Sequence, residues 1–297
     1  MKYGVVLPIW RLTTAEAERM TLRAEELGWD GVFVPDHIMA KPATTEHYGP
    51  TWPDPFSLLA FLAGRTRRIQ VGASVIVLPY RNPLVAAKAA ATVDQVSGGR
   101  FIFGIGVGWD EAEFKDLGLP FSERGAMADE YLAIIKAAWS ADEPSYAGRY
   151  LTFGGATFSP RPAQKPHPPV WAGGAPGALS APAMRRAAIH CDAWHPLGLG
   201  WVDLEQGMAT VSELATRAGR PKGAVRFAPR NLLGLGAKAA GAERAPYEGN
   251  ADQVAADVKR ARDLDCDWLT FDMPKADVAG MIDVMERFIR DVKPQAG

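Results

Sequence analysis

Cysteine is scarce in this chain: Cys191 and Cys266 are its only two. They are far apart, match no metal or redox spacing, and exclude a disulfide framework. Both thiols are expected to be reduced, in a cytoplasmic protein. An excess of charge is lacking as well. Thirty-three Lys and Arg face 34 Asp and Glu, a formal net charge of −1, which removes the electrostatic case for a nucleic-acid or anionic-membrane partner. No uninterrupted apolar run reaches the roughly 18 residues a bilayer span requires. The opening MKYGVVLPIW has neither the apolar stretch nor the cleavage site of a signal peptide.

What the chain does have is alternation. YGVVLPI (3–9) reads as a strand, and residues 14–28 follow with helical spacing, in which Ala17, Met20, Ala24 and Leu27 share a face and Gly28 ends it. Further strands are predicted at 31–35, 69–79, 100–108, 169–174, 191–196, 224–236 and 266–274. A helical pattern follows each of them, at 54–66, 82–99, 123–139, 177–190, 201–219, 250–263 and 277–292. Pro83 opens one of these helices and Gly98-Gly99 lie just past its end. Residues 140–169 are irregular and proline-rich, with a small hairpin predicted over YLTFGGATF (150–158), and 236–250 read as a loop.

Apolar strands alternating with helices call for a parallel sheet covered by helices. Eight such units in 297 residues fit a closed barrel better than a doubly wound sheet. The expected fold is therefore α/β: a single (β/α)8 TIM barrel domain over 1–297, with an insertion after strand 4 and loops over the C-terminal face.

Function in such a barrel collects where the strands finish. Asp36 and His37 stand there in VFVPDHI, after the second strand. A histidine exchanges protons near neutral pH, and a nearby carboxylate can fix its tautomer. An isolated Asp-His pair reads more readily as a capping Asp and a packed histidine, and the other strand ends change that balance. Ser74 and Val75 lie within a strand that otherwise reads as core. In GIGVGWDE, Gly104, Gly106 and Gly108 leave room for a flat ligand or for backbone to approach; the spacing is not the dinucleotide fingerprint. Glycines after the strand in WAGGAPGALS expose N–H groups to an anion, or serve as plain turn formers.

His190, Cys191, Asp192 and His195 are close in sequence, yet a strand through 191–194 would aim alternate side chains in opposite directions, so no metal site is expected. No G-x-S-x-G marks a catalytic serine. Among nine tryptophans, Trp10, Trp109 and Trp194 fall at or just beyond strand C-termini.

LGWDGVFVPDHI, PLVAAKAAATVDQVSGGRFIFGIGVGWDEAEF, FSERGAMADEYLAIIKAAW and PRPAQKPHPPVWAGG together resemble the luciferase-like monooxygenase superfamily. More narrowly they resemble the branch that uses the deazaflavin coenzyme F420. The likeness runs over most of residues 1–200. Its DQVSGGR and GIGVGW elements are specific for the superfamily and much weaker at separating deazaflavin from flavin mononucleotide (FMN).

That resemblance implies a tricyclic ring in the barrel mouth, supported by a bulge with a non-prolyl cis peptide at Ser74-Val75. It implies cofactor contacts at Asp36, Ser74, Val75, Val77, Val107 and Gly108, and a phosphate-holding loop at Gly173, Gly174, Ala175, Gly177 and Ala178. Asp36 and His37 match the pair beside the reacting carbon. Where sugar-phosphate dehydrogenases of the branch carry a glutamate acid, this chain has Trp109, and no lysine group suits a phosphorylated sugar. Trp10, Trp52, Trp109 and Trp194 are the candidate walls of an apolar pocket for a conjugated or cyclic substrate. The expected activity is hydride transfer between coenzyme F420 and a small organic molecule, in a homodimer. The alternatives are a reduced-FMN (FMNH2) monooxygenase of the same superfamily and a non-catalytic cofactor-binding barrel.

Overall fold

The structure, a computed structural model, describes residues 1–297, the side chains of Ala43 and His47 excepted. The chain opens with β1 (Lys2–Val6), α1 (Thr14–Leu27), β2 (Gly31–Val34), α2 (Pro42–His47), α3 (Pro55–Arg65), β3 (Gln70–Ala73) and β4 (Ile76–Val77). It continues with α4 (Pro83–Ser97), β5 (Phe101–Gly106), α5 (Glu111–Asp116), α6 (Arg124–Ser140), β6 (Tyr146–Ala147), β7 (Thr152–Phe153) and β8 (Val170–Gly173). Then come α7 (Ala181–His190), β9 (Ala193–His195), α8 (Trp201–Arg217), β10 (Arg226–Phe227), β11 (Arg230–Leu232) and β12 (Gly234–Leu235). The chain ends with β13 (Glu248–Gly249), α9 (Ala251–Asp263), β14 (Trp268–Asp272) and α10 (Val278–Arg287). This is an α/β fold on parallel strands. No helix among the described residues is long and apolar enough to cross a membrane.

The departures from expectation have local causes. The predicted strand over 69–79 splits into β3 and β4 at the cis peptide Ser74-Val75. That over 224–236 breaks into three, the first break falling at Pro229, which has no N–H for a ladder. The helix expected from 177 begins at Ala181, because a start at 177 would place Pro182 in the helix interior. The hairpin pairs Tyr146 with Phe153 and Ala147 with Thr152 rather than spanning 150–158. Its turn is pinned to α6, where the Glu130 carboxylate accepts the N–H groups of Arg149, Tyr150 and Leu151 at 2.8, 2.8 and 3.0 Å. The short helices α2 and α5 were not expected.

The chain divides into two compact units. The first comprises Met1–Pro8, Thr13–Phe33 and Trp171–Gly297. In it β1 pairs in parallel with β14 on one side and with the Gly31–Phe33 part of β2 on the other, while β11 continues beyond β14. A second parallel set runs β8, β9, β10. Phe33, Trp171 and Trp268 fill the interior, with Phe33 and Trp268 each within 5.4 Å of Trp171. Gly4 makes room for them, since a Cβ there would lie 2.5 Å from the Phe33 ring. Helix α1 starts on a capping box of Thr13 and Glu16, ends at Gly28 with φ 82°, and buries Ala17, Met20 and Ala24 as its spacing predicts.

The second unit comprises Ile9–Leu12 and Val34–Val170. Here β3 runs parallel to the first half of β5 and β4 to its second half, in two ladders whose registers differ by one residue across the split. Helix α4 starts as predicted, with Asn82 capping the Leu84 N–H and Pro83 in the first turn, and stops at Gly98, φ 65°. Trp139 of α6 donates its indole N–H to the Ala87 carbonyl of α4 at 3.0 Å and packs edge-on against Phe103.

His195 makes the first unit sensitive to acid. Its ring is 2 % exposed and its Nδ1 lies 2.5 Å from the Ala228 carbonyl oxygen. Burial pushes its pKa from 6.5 down to about 4, with the Ala228 bond opposing. Between these values the unfolded chain binds a proton that the folded chain refuses, so stability rises with pH there. The contribution is complete above pH 6.5 and is lost as pH falls to about 4. It amounts to on the order of 3 kcal/mol. Urea unfolding at intervals across that window should show the decline in the wild type and a flatter profile in His195→Gln.

Candidate active site

The second unit brings together most of the residues singled out by sequence, and the chain reversal after β2 sets their geometry. Asp36 and His37 follow β2 directly and are 4 % and 8 % exposed. Ser74 and Val75 form the cis peptide, and the Ser74 N–H bonds the Val34 carbonyl at 2.8 Å. Val107, Gly108 and Trp109 follow β5.

The carboxylate next to His37 is not that of Asp36. It belongs to Glu113, in the first turn of α5, whose Oε2 lies 2.6 Å from His37 Nδ1. The same oxygen accepts the Tyr80 hydroxyl at 2.9 Å, and Oε1 accepts the N–H groups of Ile38 and Met39 at 2.7 and 2.9 Å. Glu113 is fully buried. Burial opposes its charge, but the bonds from His37 and from the Met39 and Ile38 N–H groups outweigh it and hold the carboxyl below its ordinary value. Burial, then the Glu113 charge, pushes the Tyr80 hydroxyl well above its ordinary value, so it stays a donor. Helix α5 is held in turn by Asp110, which caps Ala112 at 3.0 Å and accepts the Thr44 hydroxyl of α2 at 2.8 Å.

Asp36 faces the other way. Its Oδ2 accepts the Val77 N–H at 2.9 Å and Arg81 Nη1 at 2.5 Å, and its Oδ1 accepts Arg81 Nη2 at 2.8 Å. Arg81 Nη2 also reaches Asp54 at 3.2 Å. Burial pushes the Asp36 carboxyl up, while Arg81 and the Val77 N–H pull it down. Burial likewise works against the guanidinium, but Asp36 and Asp54 outweigh it and raise its pKa. The bidentate geometry is that of an ion pair. Asp36 thereby fixes β4 just beyond the cis peptide, and the carboxylate hydrogen-bonded to His37 is that of Glu113.

Aromatic rings surround His37. Its ring centroid lies 4.6 Å from Trp52 and 5.6 Å from Trp109, and Trp10 lies 5.5 Å from Trp52 and 5.0 Å from Tyr48. Trp109, 48 % exposed, stands with Ile38, Met39 and Tyr48 as an apolar rim. The glycines of β5 serve the chain rather than a ligand. A Cβ on Gly104 would lie 1.9 Å from the Ala73 carbonyl oxygen, and one on Gly106 2.5 Å from Val75. Both let the bulge press against β5. At Gly108, φ 80°, a Cβ would meet Val77 at 2.9 Å and Phe114 at 2.8 Å.

In the first unit the loop from Gly173 to Ala178 is exposed from Ala175 onward. It is open around its glycines: a Cβ on Gly177 would meet nothing within 4 Å, and one on Gly174 only Pro196 at 3.6 Å. The loop therefore has the room an anionic group needs. The Gly177 N–H is committed to the Leu197 carbonyl at 2.8 Å, which leaves it out of any such cradle. Trp194 is 2 % exposed and its ring abuts Gly207 of α8, where a Cβ would come within 2.1 Å of it. It is core rather than an open wall. The His, Cys and Asp run at 190–195 forms no metal-binding group among the described residues.

Glu113, Tyr80 and Arg81 were missed by sequence reasoning. Tyr80 and Arg81 fall in the gap between a predicted strand and a predicted helix, and Glu113 lies 76 positions from His37. The available signal was Asp110, an N-cap that would have announced α5 and placed Glu113 in its first turn. One consequence is measurable. Arg81→Met strands the Asp36 carboxylate unpaired and buried, and should cost about 3–5 kcal/mol in urea unfolding. Asp36→Asn combined with Arg81→Met should recover much of that loss, because the uncompensated charge is gone.

Comparison with known proteins identifies the family. An uncharacterized protein of Mycobacterium tuberculosis is 32% identical over 235 residues, covering 74% of this chain and 80% of its own. The F420-dependent glucose-6-phosphate dehydrogenase of Amycolatopsis mediterranei is 36% identical over 159 residues, 52% of this chain and 46% of that protein. Two solved structures share the fold. The coenzyme F420-dependent tetrahydromethanopterin reductase of Methanopyrus kandleri has TM-score 0.81 at 17% identity, covering 100% of this chain and 99% of its own. The type II Baeyer-Villiger monooxygenase of Pseudomonas putida, in complex with FMN, has TM-score 0.79 at 17% identity, covering 99% and 98%. Residues 1–264 match the family described as luciferase-like monooxygenase, and the chain belongs to that family.

Proposed function

We propose that this protein is a coenzyme F420-dependent oxidoreductase that moves hydride to or from a small, uncharged, cyclic organic substrate. The observation that carries this reading is His37, anchored through Nδ1 to a buried carboxylate and walled by Trp10, Trp52 and Trp109. Hydride transfer between carbon atoms at a carbonyl or alcohol obliges one proton to move at oxygen. A histidine with one nitrogen anchored leaves Nε2 to take or give it. Coenzyme F420, when bound, supplies two-electron hydride chemistry with little reactivity toward oxygen.

The residues have separate tasks. Asp36 and Arg81 hold the β4 segment in place, and Ser74, Val75, Val77, Val107 and Gly108 are the backbone positions carried over from the family for contact with the ring. The loop of Gly173, Gly174, Ala175 and Ala178 is carried over as the holder of an anionic group, with the N–H groups of Gly177 and Ala178 excepted, since they bond the Leu197 and Ala175 carbonyls. The closed (β/α)8 arrangement over 1–297 and a cytoplasmic homodimer belong to the same proposal. Its support is the F420 dependence of the Amycolatopsis relative and of the Methanopyrus structure, each stated of that protein alone.

Fluorescence-quenching titrations with coenzyme F420 and with FMN should show micromolar or tighter affinity for the deazaflavin. Much tighter binding of FMN, with oxygen consumed in its reduced form, would replace this reading with a flavin monooxygenase. His37→Ala should lower single-turnover hydride transfer of the folded protein by about 10²–10⁴-fold and leave cofactor affinity nearly unchanged, with some loss of melting temperature because Glu113 loses one of its buried donors. A variant that melts early yet transfers hydride at the normal rate would make His37 a packing residue.

A further inference from the structure

Glu113 makes four hydrogen bonds in a fully buried position, and their polarity is not symmetric. Oε1 faces two backbone N–H groups, of Ile38 and Met39, which can only donate. Oε2 faces the Tyr80 hydroxyl and His37 Nδ1. A hydroxyl can turn either way, and an imidazole nitrogen is a donor or an acceptor according to tautomer. The N–H groups at Oε1 and the bonds at Oε2 hold this carboxyl below its ordinary value, so near neutral pH it is an acceptor at Oε2 as well and holds no proton to give. In a neutral ring, Nδ1 must then carry the hydrogen.

We infer that Glu113 is a positioning residue that fixes the tautomer of His37, keeping hydrogen on Nδ1 and leaving the Nε2 lone pair as the proton-exchanging atom. This rests on the proton-transfer role proposed for His37. The competing account is that Glu113 merely pins the 37–39 turn to α5. Both accounts need the two bonds at Oε1, so only the pair at Oε2 separates them.

The isosteric change Glu113→Gln makes the separation. Its amide has one acceptor and one donor end. The two N–H groups of Ile38 and Met39 require the carbonyl at their side, which turns the NH₂ toward His37 and Tyr80. Tyr80 can accept that hydrogen through its oxygen. His37 Nδ1 can accept it only by giving up its own hydrogen, so the ring changes to the Nε2–H tautomer. Shape, volume and the anchoring of the turn are retained while the proton is moved to the wrong nitrogen. A triad histidine whose acid becomes an amide loses rate in this manner, by about 10⁴-fold.

The experiment is nitrogen-15 NMR on the full chain labelled at histidine, without cofactor, with the His37 signals assigned by their absence in His37→Ala among the five histidines. Across a pH titration, the neutral ring of the wild type should show a protonated Nδ1 and a lone-pair Nε2. The same ring in Glu113→Gln should show the reverse. Turnover with coenzyme F420 should fall by about 10²–10⁴-fold, with F420 affinity by quenching changed by less than about threefold. A wild-type ring with hydrogen on Nε2 overturns the inference without the Glu113→Gln variant, so a misfolded Glu113→Gln protein would not leave it untested. An unchanged tautomer in a folded Glu113→Gln overturns it, as does a reversed tautomer with undiminished turnover. If the tautomer reverses but the wild type transfers no hydride with F420, the positioning role stands and the proposed activity falls.

Discussion

One buried charge organises the second unit. Glu113 has no exposure to solvent, and a carboxylate taken out of water costs several kcal/mol unless donors surround it. The charge and its four donors tie together three separate stretches of chain: the turn at 37–39 and the 3₁₀ turn ending at Tyr80 supply the donors, and α5 supplies the acid. None of the three can shift alone without orphaning a buried polar group. That mutual dependence is what makes the position of His37 a property of the fold rather than of a mobile side chain.

The Asp36 pair extends the same logic to the strand that breaks. Beyond Ser74-Val75 the chain resumes as β4, a strand of two residues that pairs with β5. So short a strand has little of its own to hold it, and the Asp36 carboxylate supplies the missing anchor at the Val77 N–H while Arg81 neutralises it. On the opposite side, β5 has no side chain at Gly104 or Gly106, so the bulge can lie flat against it. Two adjacent residues, Asp36 and His37, thus reach opposite partners, one fixing the strand and one facing the aromatic walls.

The strand–helix order was legible because each element states its own period and its own stops. Thr13 with Glu16, Asn82 with Pro83, and the glycines at 28 and 98 act on their nearest neighbours, and the helices they bound lie where predicted. Errors arose where a stop signal was passed over, as at Pro182 and Pro229, or where a distant side chain decided the outcome, as Glu130 does for the hairpin turn. The site follows the same division. The grouping of His37 with Trp109 could be anticipated from their places at strand ends, whereas Trp194, read in the same way, is core. The supports of the site were not legible, because Glu113 and Arg81 are ordinary helix and loop residues until the fold brings them to His37 and Asp36. Glycine spacing left one choice open: the absent side chains of β5 admit the neighbouring chain at Ala73 and Val75, and a sequence cannot say which of two guests a gap will receive.

Charge around the walls narrows what they can hold. Asp36, Asp54 and Glu113 are all close to the His37 segment, and the cation facing Asp36 and Asp54 is Arg81, already committed to both. A phosphorylated substrate would have to draw Arg81 away from a carboxylate that has no other charge to balance it. An uncharged ring meets no such cost, since Trp10, Trp52 and Trp109 offer flat apolar surface and ask for no exchange of partners. The same carboxylate that holds β4 in place therefore also occupies Arg81, and keeps that guanidinium from pairing with another anion.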